Sequence, residues 1–195
     1  IESYFPLRIE TYATIPDSGG AGLHRGGNGL TVAYRFLADG EIGIHDDRWL
    51  MYPWGVFGGE PGLRSTKRLV RTDGSEEWLG AKAEGIQVKK GDLLYFNTWG
   101  GGGWGDPYER DPALVRQDVA RRLVTVEGAR RYGVVIGDDG NVDADATAAL
   151  REELRAARGE VELFNRGGSI EELKARCLEE THLEPPVDPS FQGAA

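Results

Sequence analysis

The chain has 195 residues, of which 39% are hydrophobic and 28% are charged, as in ordinary folded globular proteins. Its 32 acidic and 23 basic side chains give a formal net charge of -9 at pH 7, which disfavours nucleic acid and anionic membranes as partners. The single cysteine excludes an internal disulfide, and no apolar run reaches the roughly 18 residues of a membrane span. We therefore expect a cytoplasmic protein.

The first residues of the chain have the pattern of a strand. The sequence opens IESYFPLRIETYATI, without methionine, and its apolar residues alternate at Leu7, Ile9 and Tyr12. A strand so close to the first residue indicates either a piece of a longer protein or a processed or trimmed subunit. The pattern of residues is compatible with each of these alternatives.

Residues 1–110 have the composition of a β-rich domain. Short runs of β-branched and aromatic residues, separated by turn sequences, predict the strands of a sandwich or barrel. These runs are LRIETYATI (7–15), GLTVAYRFLA (29–38) and KGDLLYFNT (90–98). The glycines of GGAGLHRGGNG and FGGEPG are too dense for a helix and indicate bulges, wide turns and close approach of backbone segments.

Residues 111–195 predict a helical carboxyl-terminal region, so the expected fold class is α+β. Asp111 and Pro112 supply the N-cap and first position of one helix, in which Leu114, Val115, Val119 and Leu123 recur at helical spacing. A second, short helix is expected from Thr125 to just before Gly133.

Three further elements are predicted beyond that point. The run YGVVI (132–136) predicts a strand, and residues 143–158 predict a helix because its start is acidic and its end basic. The last helix begins at Ser169, where Glu172 completes a capping box, and it ends near Thr181. The final residues, SFQGAA, predict a frayed tail.

Four consecutive glycines lie between Trp99 and Trp104 in NTWGGGGWGDPYERD (97–111). Glycine loses more conformational freedom on folding than any other residue, so the run needs a compensating use. The favoured interpretation is that the glycines let the chain pass in tight contact with neighbouring backbone. The alternative is an anion-binding nest, although the run matches neither the P-loop nor the dinucleotide-binding pattern.

Metal-binding and nucleophilic chemistry find little support in the residue pattern. His24, His45 and His182 are dispersed, and HDDR (45–48), the densest group of possible ligands, is interpreted as a solvated turn. Cys177 falls within a predicted helix on the side of its apolar residues, which predicts a buried structural thiol. We therefore assign no metal ligand and no catalytic nucleophile to this chain.

Three stretches in the same order resemble the carboxyl-terminal part of the hydantoinase B family. They are PDSGGAGLHRGGNGLTVAYRF, PWGVFGGEPG and GDLLYFNTWGGGGWGDPYERDPALVRQDVARRLVTVEGARRYGVVI. The resemblance covers roughly residues 4–137, and SIEELKARCLEETHLEPP is also similar to carboxyl termini of the family. The family includes the B subunits of ATP-dependent N-methylhydantoinases, the matching half of 5-oxoprolinases and the large subunit of acetone carboxylase.

The resemblance implies a role in a two-part enzyme. In the family, an A-type subunit uses ATP to activate a carbonyl or carboxyl oxygen as a phosphate, and the B-type part, with a divalent metal, completes hydrolysis or carboxylation. The family's metal ligands lie in the amino-terminal portion, which has no counterpart here, so no metal residue is carried over. We expect this chain to be inactive alone and to carry no cofactor; ATP and a divalent metal belong to the complete complex.

The implied assembly is a hetero-oligomer with a hydantoinase A-type subunit and the amino-terminal B portion. Three functions stay open: part of a cyclic-amide hydrolase, part of an acetone-type carboxylase, and a non-catalytic assembly domain. Under the enzymatic functions, we expect Gly101, Gly102, Gly103 and Asp106 to face the active cavity, with Arg25 as a contact for an anion.

Overall fold

The computed structural model describes residues 1–187, in which eight strands come first and three helices follow, with one further short strand between the second and third helices. The strands are β1 (Leu7–Thr14), β2 (Leu30–Phe36), β3 (Gly40–His45), β4 (Gly55–Val56), β5 (Thr66–Val70), β6 (Glu76–Leu79), β7 (Lys82–Val88), β8 (Leu93–Asn97) and β9 (Phe164–Asn165). The helices are α1 (Pro112–Ala120), α2 (Ala144–Ala157) and α3 (Ile170–Thr181), with 3-10 helices at Pro107–Glu109 and Gly128–Tyr132. The predicted α+β fold class is confirmed, and the predicted tail SFQGAA lies outside the described residues.

The β-rich part is a five-stranded antiparallel sheet in the order β1-β2-β8-β5-β6, covered on one face by the two-stranded ribbon β3-β7. Alternate residues of the sheet face the ribbon, because successive side chains on a strand point to opposite faces. The buried apolar residues between the two layers are Phe36, Ile44, Leu69, Leu79, Val88 and Leu94. The three predicted strand runs correspond to β1, β2 and β8.

A second core lies where the helices meet an irregular segment of the β-rich part. Val115, Tyr132 and Val134 are almost completely buried there, and they pack with Ala21, which comes from the glycine-rich stretch before β2. The division at residue 110 into a β-rich and a helical domain stays a prediction. Among residues 1–187, no helix is both long and apolar enough to cross a membrane.

The predicted strand at YGVVI is wrong. Its first residue, Tyr132, ends a 3-10 helix, and Gly133 follows in the left-handed conformation with φ 62°. Val134 and Ile136 are buried in the second core, and Ile136 forms only an isolated bridge with Val142. The apolar run therefore reflects burial of an irregular segment, and the short helix expected from Thr125 is this 3-10 helix.

The three helices begin where their capping residues predict. Asp111 accepts a hydrogen bond from the Ala113 N–H at 2.8 Å, and Asp143 accepts one from Ala146 at 3.0 Å. Ser169 and Glu172 form the predicted capping box of α3. Cys177 is fully buried on α3, as predicted for a structural thiol.

Three irregular backbone segments, 18–29, 54–63 and 98–105, meet in what we call the glycine seam. They are joined by backbone hydrogen bonds outside the regular sheets, so each segment satisfies polar groups of the other two. Representative bonds are Gly20 N–H to Gly101 O (2.8 Å), Gly101 N–H to Gly27 O (2.8 Å), Gly103 N–H to Glu60 O (2.9 Å), Val56 N–H to Gly103 O (2.9 Å) and Glu60 N–H to Ala21 O (2.7 Å).

The glycine quartet allows this close approach. A Cβ atom on Gly102 would lie closer than 3.0 Å to the carbonyl oxygen of Trp54, and one on Gly103 would overlap the carbonyl oxygen of Ala21 in the same way. None of the four glycines at 100–103 has a positive φ, so the backbone could accept other residues if there were space for them. The quartet is thus required by lack of space between backbones.

An ion pair joins the carboxyl-terminal end of α2 to the end of the seam. Arg158 donates to both carboxylate oxygens of Asp106, at 2.9 and 2.7 Å, and Asp106 also accepts from the Tyr108 N–H at 2.8 Å. Burial of the Asp106 carboxylate opposes its ionisation, but the bonds from Arg158 and Tyr108 outweigh this effect and lower its pKa. The pair fixes α2 against the β-rich part.

Gly102→Ala is expected to destabilise the protein. The added methyl group would meet backbone, which cannot move aside as a side chain can, so we expect a loss of at least about 1 kcal/mol in the free energy of unfolding. Chemical denaturation measures the change. Gly27→Ala is the matched control, because a Cβ at Gly27 has no heavy atom within 4 Å. Equal stability of the two variants would contradict the role given to the seam.

Asp106→Asn is expected to lower the free energy of unfolding by about 1 kcal/mol at pH 7, since a partly buried, bidentate pair is lost. The folded-state pKa of Asp106 is lowered, so its stabilisation is complete above about pH 4 and disappears as the pH falls through the folded value. Denaturation of the variant and parent at pH 7 and pH 3 should show the difference shrinking at pH 3. Asp138→Asn removes the same charge from an exposed site and should have little effect at either pH.

Candidate functional site

Exposed aromatic side chains lie along the glycine seam. Trp104, directly after the quartet, is 47% exposed, and its backbone pairs with His24 on one side and Val56 on the other. Its ring contacts His24 (centroids 5.3 Å apart) and Phe57 (5.7 Å, edge-on). The seam therefore fixes the backbone of Trp104 while its ring faces solvent.

A second exposed aromatic group lies at β4 and β9. Trp54 is 41% exposed and contacts Phe164 edge-on, with ring centroids 5.9 Å apart. The guanidinium groups of Arg48 and Arg166 lie 5.6 and 5.5 Å from the centre of the Trp54 ring. Because β4 pairs with β9, this group is attached to the same backbone as the seam.

We call Trp54, Phe57, Trp104 and Phe164 together the aromatic surface. Large apolar side chains that remain this exposed on a folded chain are typical of surfaces that bind a partner or ligand. Aromatic and arginine side chains are also the types enriched at protein–protein interfaces. The arrangement is suited to apolar and cation–π contacts with another molecule.

Asp118 of α1 forms ion pairs with two arginines. Arg110 donates to its carboxylate at 2.9 Å and Arg25 lies 3.3 Å from the same oxygen. Arg25 also donates to the Gly26 carbonyl (2.7 Å) and to the side chain of Asn28 (2.9 Å). The side chains of Arg25 and Asp118 are largely buried, so the cluster joins α1 to the segment before β2.

The residues expected to face an active cavity occupy different surroundings. All three glycines lie in the seam, where Gly103 is buried and Gly101 and Gly102 are partly exposed. Arg25 is directed toward Asp118 and Asp106 toward Arg158, so both are engaged in ion pairs within the chain. Their contact with an anion or substrate stays a prediction.

The stretch HDDR divides between solvent and core. His45 is exposed and contacts Glu84, and Asp47 is exposed as well, as in the predicted solvated turn. Asp46, by contrast, is buried in an ion pair with Lys67, which the sequence pattern did not predict. Burial lowers the pKa of Lys67, and its pairing with Asp46 opposes that change.

The side chains present do not fit a divalent metal. Within residues 1–187, no three histidine, cysteine, aspartate or glutamate side chains converge in a way that could hold a metal ion. The carboxylates of Asp106 and Asp118, which could otherwise serve as metal ligands, are paired with Arg158 and Arg110. No chemical step is therefore assigned to a metal on this part of the chain.

Two important charged residues were missed by sequence reasoning. Asp118 follows Val115 by three positions on α1, so it shares the buried face of that helix, and an acidic residue at such a position is a signal for a buried partner. Arg158 was identified only as the basic end of a helix. The exposure of Trp54 and Trp104 has no comparable local signal.

The chain is similar to the B-type subunits of known enzymes. It is 36% identical over 158 residues to the beta subunit of caprolactamase from Pseudomonas jessenii, covering 77% of this chain and 27% of that protein. It is 32% identical over 154 residues to the B subunit of a putative D-/L-hydantoinase from a Pseudomonas species, covering 78% of this chain and 26% of the relative. The chain thus spans about a quarter of the length of these relatives.

Solved structures have the same fold. The crystal structure of the ATP-dependent caprolactamase from Pseudomonas jessenii matches with a TM-score of 0.68 and 32% identity, covering 78% of this chain and 27% of that one. Nucleotide-free acetone carboxylase matches with a TM-score of 0.65 at 22% identity, covering 92% of this chain and 28% of that one, which shows a shared fold. The family model described as Hydantoinase B/oxoprolinase matches residues 1–107, including the seam and most of the aromatic surface. This chain belongs to the hydantoinase B/oxoprolinase family.

Proposed function

We propose that this chain is the carboxyl-terminal part of the B-type component of an ATP-dependent enzyme that hydrolyses cyclic amides. The observation that carries the proposal is its similarity, over more than three quarters of its length, to the B-type subunits of a caprolactamase and a hydantoinase. Caprolactam and hydantoins both contain an amide within a ring. The shared chemistry is therefore opening of a cyclic amide.

ATP has a clear chemical use in such a reaction. An amide is a poor electrophile, and phosphorylation of its oxygen converts that oxygen into a good leaving group. We assign this activation to an A-type subunit and the subsequent hydrolysis to the complete B-type component. To the present chain we assign an assembly role, which is supported by its glycine seam and its exposed aromatic surface.

The aromatic surface supports an assembly role within this enzyme. The matched segment makes up only 26–27% of the B-type relatives, so the equivalent segment in them has a large amount of additional protein available to cover it. We assign the aromatic surface to contact with the amino-terminal B portion, which would cover the exposed rings of Trp54 and Trp104. The A-type subunit completes the hetero-oligomer.

Strand β1 supports the same assignment. It forms one edge of the five-stranded sheet, and most of its residues are exposed, including Tyr12 at 67%. An edge strand with unpaired backbone groups and apolar side chains readily pairs with another strand unless it is covered. The amino-terminal B portion is the proposed cover for this edge.

A role in an acetone-type carboxylase is the alternative outcome. The similarity to acetone carboxylase is at 22% identity and supports the fold alone, whereas the subunits related at more than 30% identity point to hydrolysis. The two functions differ in a measurable requirement, because only a carboxylase needs bicarbonate as a substrate.

The purified chain alone is expected neither to hydrolyse ATP nor to open caprolactam, N-methylhydantoin or 5-oxoproline. Phosphate release and ring opening should be measured with ATP and Mg²⁺ or Mn²⁺, first on the chain and then after addition of A-type and amino-terminal B components. Ring opening by the reconstituted mixture supports the proposal. Turnover by the isolated chain contradicts it, and activity that needs acetone and bicarbonate assigns the carboxylase function instead.

Trp104→Ala is expected to weaken binding of the amino-terminal B portion by at least about tenfold, since buried aromatic anchors dominate interface energies. Calorimetry or light scattering with the purified components measures the affinity. Leu114→Ala removes a similarly exposed apolar side chain from α1 and should leave the affinity nearly unchanged. If both variants bind as the parent does, the aromatic surface is not the interface.

A further inference from the structure

A groove separate from the aromatic surface lies between the start of α1 and α2. Its volume is about 850 Å³, and it is lined by Asp111, Arg116, Asn141, Thr147, Arg151 and Arg155 together with small apolar side chains. All of its lining residues come after residue 107 in the sequence, where the match to the family model ends. The volume of the groove is within the range of small-molecule sites, and the groove is shallow and broadly open to solvent.

The charge of the groove is opposite to that of the protein as a whole. Its lining includes three arginines, Arg116, Arg151 and Arg155, against one carboxylate, Asp111, in a chain with a formal net charge of -9. Arg155 forms an ion pair with Glu109, which is not a lining residue of the groove. A concentration of cationic groups on an acidic protein attracts small anions locally.

Arg116 and Arg151 are held in position by backbone carbonyl groups. Arg116 donates through Nε to the Gly140 carbonyl at 3.1 Å, and Arg151 donates to the carbonyls of Tyr132 and Arg110. Within residues 1–187, neither guanidinium forms an ion pair with a carboxylate at 4 Å or less. Because carbonyls orient a guanidinium without neutralising it, both side chains keep positive charge and further N–H donors.

The surroundings of Arg151 add a reason for an anion to bind. Burial and then the nearby charge of Arg155 lower the pKa of the Arg151 guanidinium, and the carboxylates of Glu109, Asp106 and Asp111 oppose this change; the group remains protonated. An anion between these arginines would reduce the repulsion that their charges produce. Guanidinium groups match the oxygens of phosphate and carboxylate with two parallel hydrogen bonds.

We propose that this groove binds a small oxyanion through Arg116, Arg151 and Arg155. The shared chemistry of the ligand is a group with at least two negatively charged acceptor oxygens, carried either by a phosphorylated compound or by a small carboxylic acid. The site lies on α1 and α2, and the proposal holds whether or not the cyclic-amide function is correct.

Titration with three probes tests the site: inorganic phosphate, ADP and succinate, each added to the chain at low ionic strength. Calorimetry gives the affinity, and amide chemical shifts in NMR spectra locate binding at α1 and α2. We expect a dissociation constant below about 10 mM for at least one probe, as for modest small-molecule sites. Tighter binding of phosphate or ADP assigns the phosphorylated source, and tighter binding of succinate assigns the carboxylic acid. Absence of binding by all three probes overturns the proposal.

Arg116→Gln is expected to weaken the bound probe about tenfold, because one charge-assisted contact is lost. Arg155→Gln should also weaken it, which provides a second test if the first variant is unstable. Arg121→Gln removes the same charge just after α1, outside the groove, and should change the affinity by less than about twofold. Equal weakening by Arg116→Gln and Arg121→Gln would show a nonspecific charge effect and would also overturn the proposal.

Discussion

Close approach of three backbone segments is the constraint on which this structure depends. In the glycine seam, carbonyl groups of Ser18, Ala21 and Trp54 occupy the space where side chains of the quartet would otherwise be. The cost of ordering glycine is offset by backbone hydrogen bonds that satisfy polar groups in all three segments. A loop of ordinary residues could not bring these segments to the same distance.

The helical region is attached to this seam through long basic side chains. Arg131 donates to the Asp17 carbonyl at 2.8 Å and to the Glu60 carboxylate at 2.8 Å. It therefore connects the residue just before segment 18–29 to segment 54–63. Arg110 donates to the Leu23 carbonyl at 2.9 Å, and Arg158 pairs with Asp106. Arginine suits this task because its planar group offers several donors in fixed directions. The helices are thus attached by polar contacts as well as by the apolar core around Val115.

Local features of the sequence predicted where the three helices begin, although α1 ends at Ala120 and does not include Leu123 as expected. Asp111 with Pro112, and Ser169 with Glu172, act on backbone groups only a few residues away, so their effect does not depend on the rest of the fold. YGVVI failed as a predicted strand because an apolar run has the same composition in a strand and in a buried irregular segment. Whether such a run is a strand or a buried irregular segment depends on what it packs against in the folded protein, which the run itself does not indicate.

The candidate site was less predictable for the same reason. The glycine quartet indicated close backbone approach, but nothing in it identified residues 18–29 and 54–63 as the neighbouring segments. Trp54 and Trp104 are apolar, and apolar side chains are usually placed in a core; their exposure follows from the direction in which the seam holds their backbone. Asp118 likewise acquires its importance from Arg25 and Arg110, whose sequence positions give no sign of a shared partner.

The seam also affects how the chain reaches its folded state. Its segments are distant in sequence, since Gly20 bonds to Gly101 and Ala21 to Glu60, and such contacts require closure of long loops before they contribute stability. Residues 18–29 can bond to residues 54–63 before the glycine quartet has been synthesised, but their bonds to residues 98–105 can form only afterwards. Pairing of β2 with β8 needs the same late part of the chain, so neither the seam nor the centre of the sheet can be completed before residues 93–105 are available.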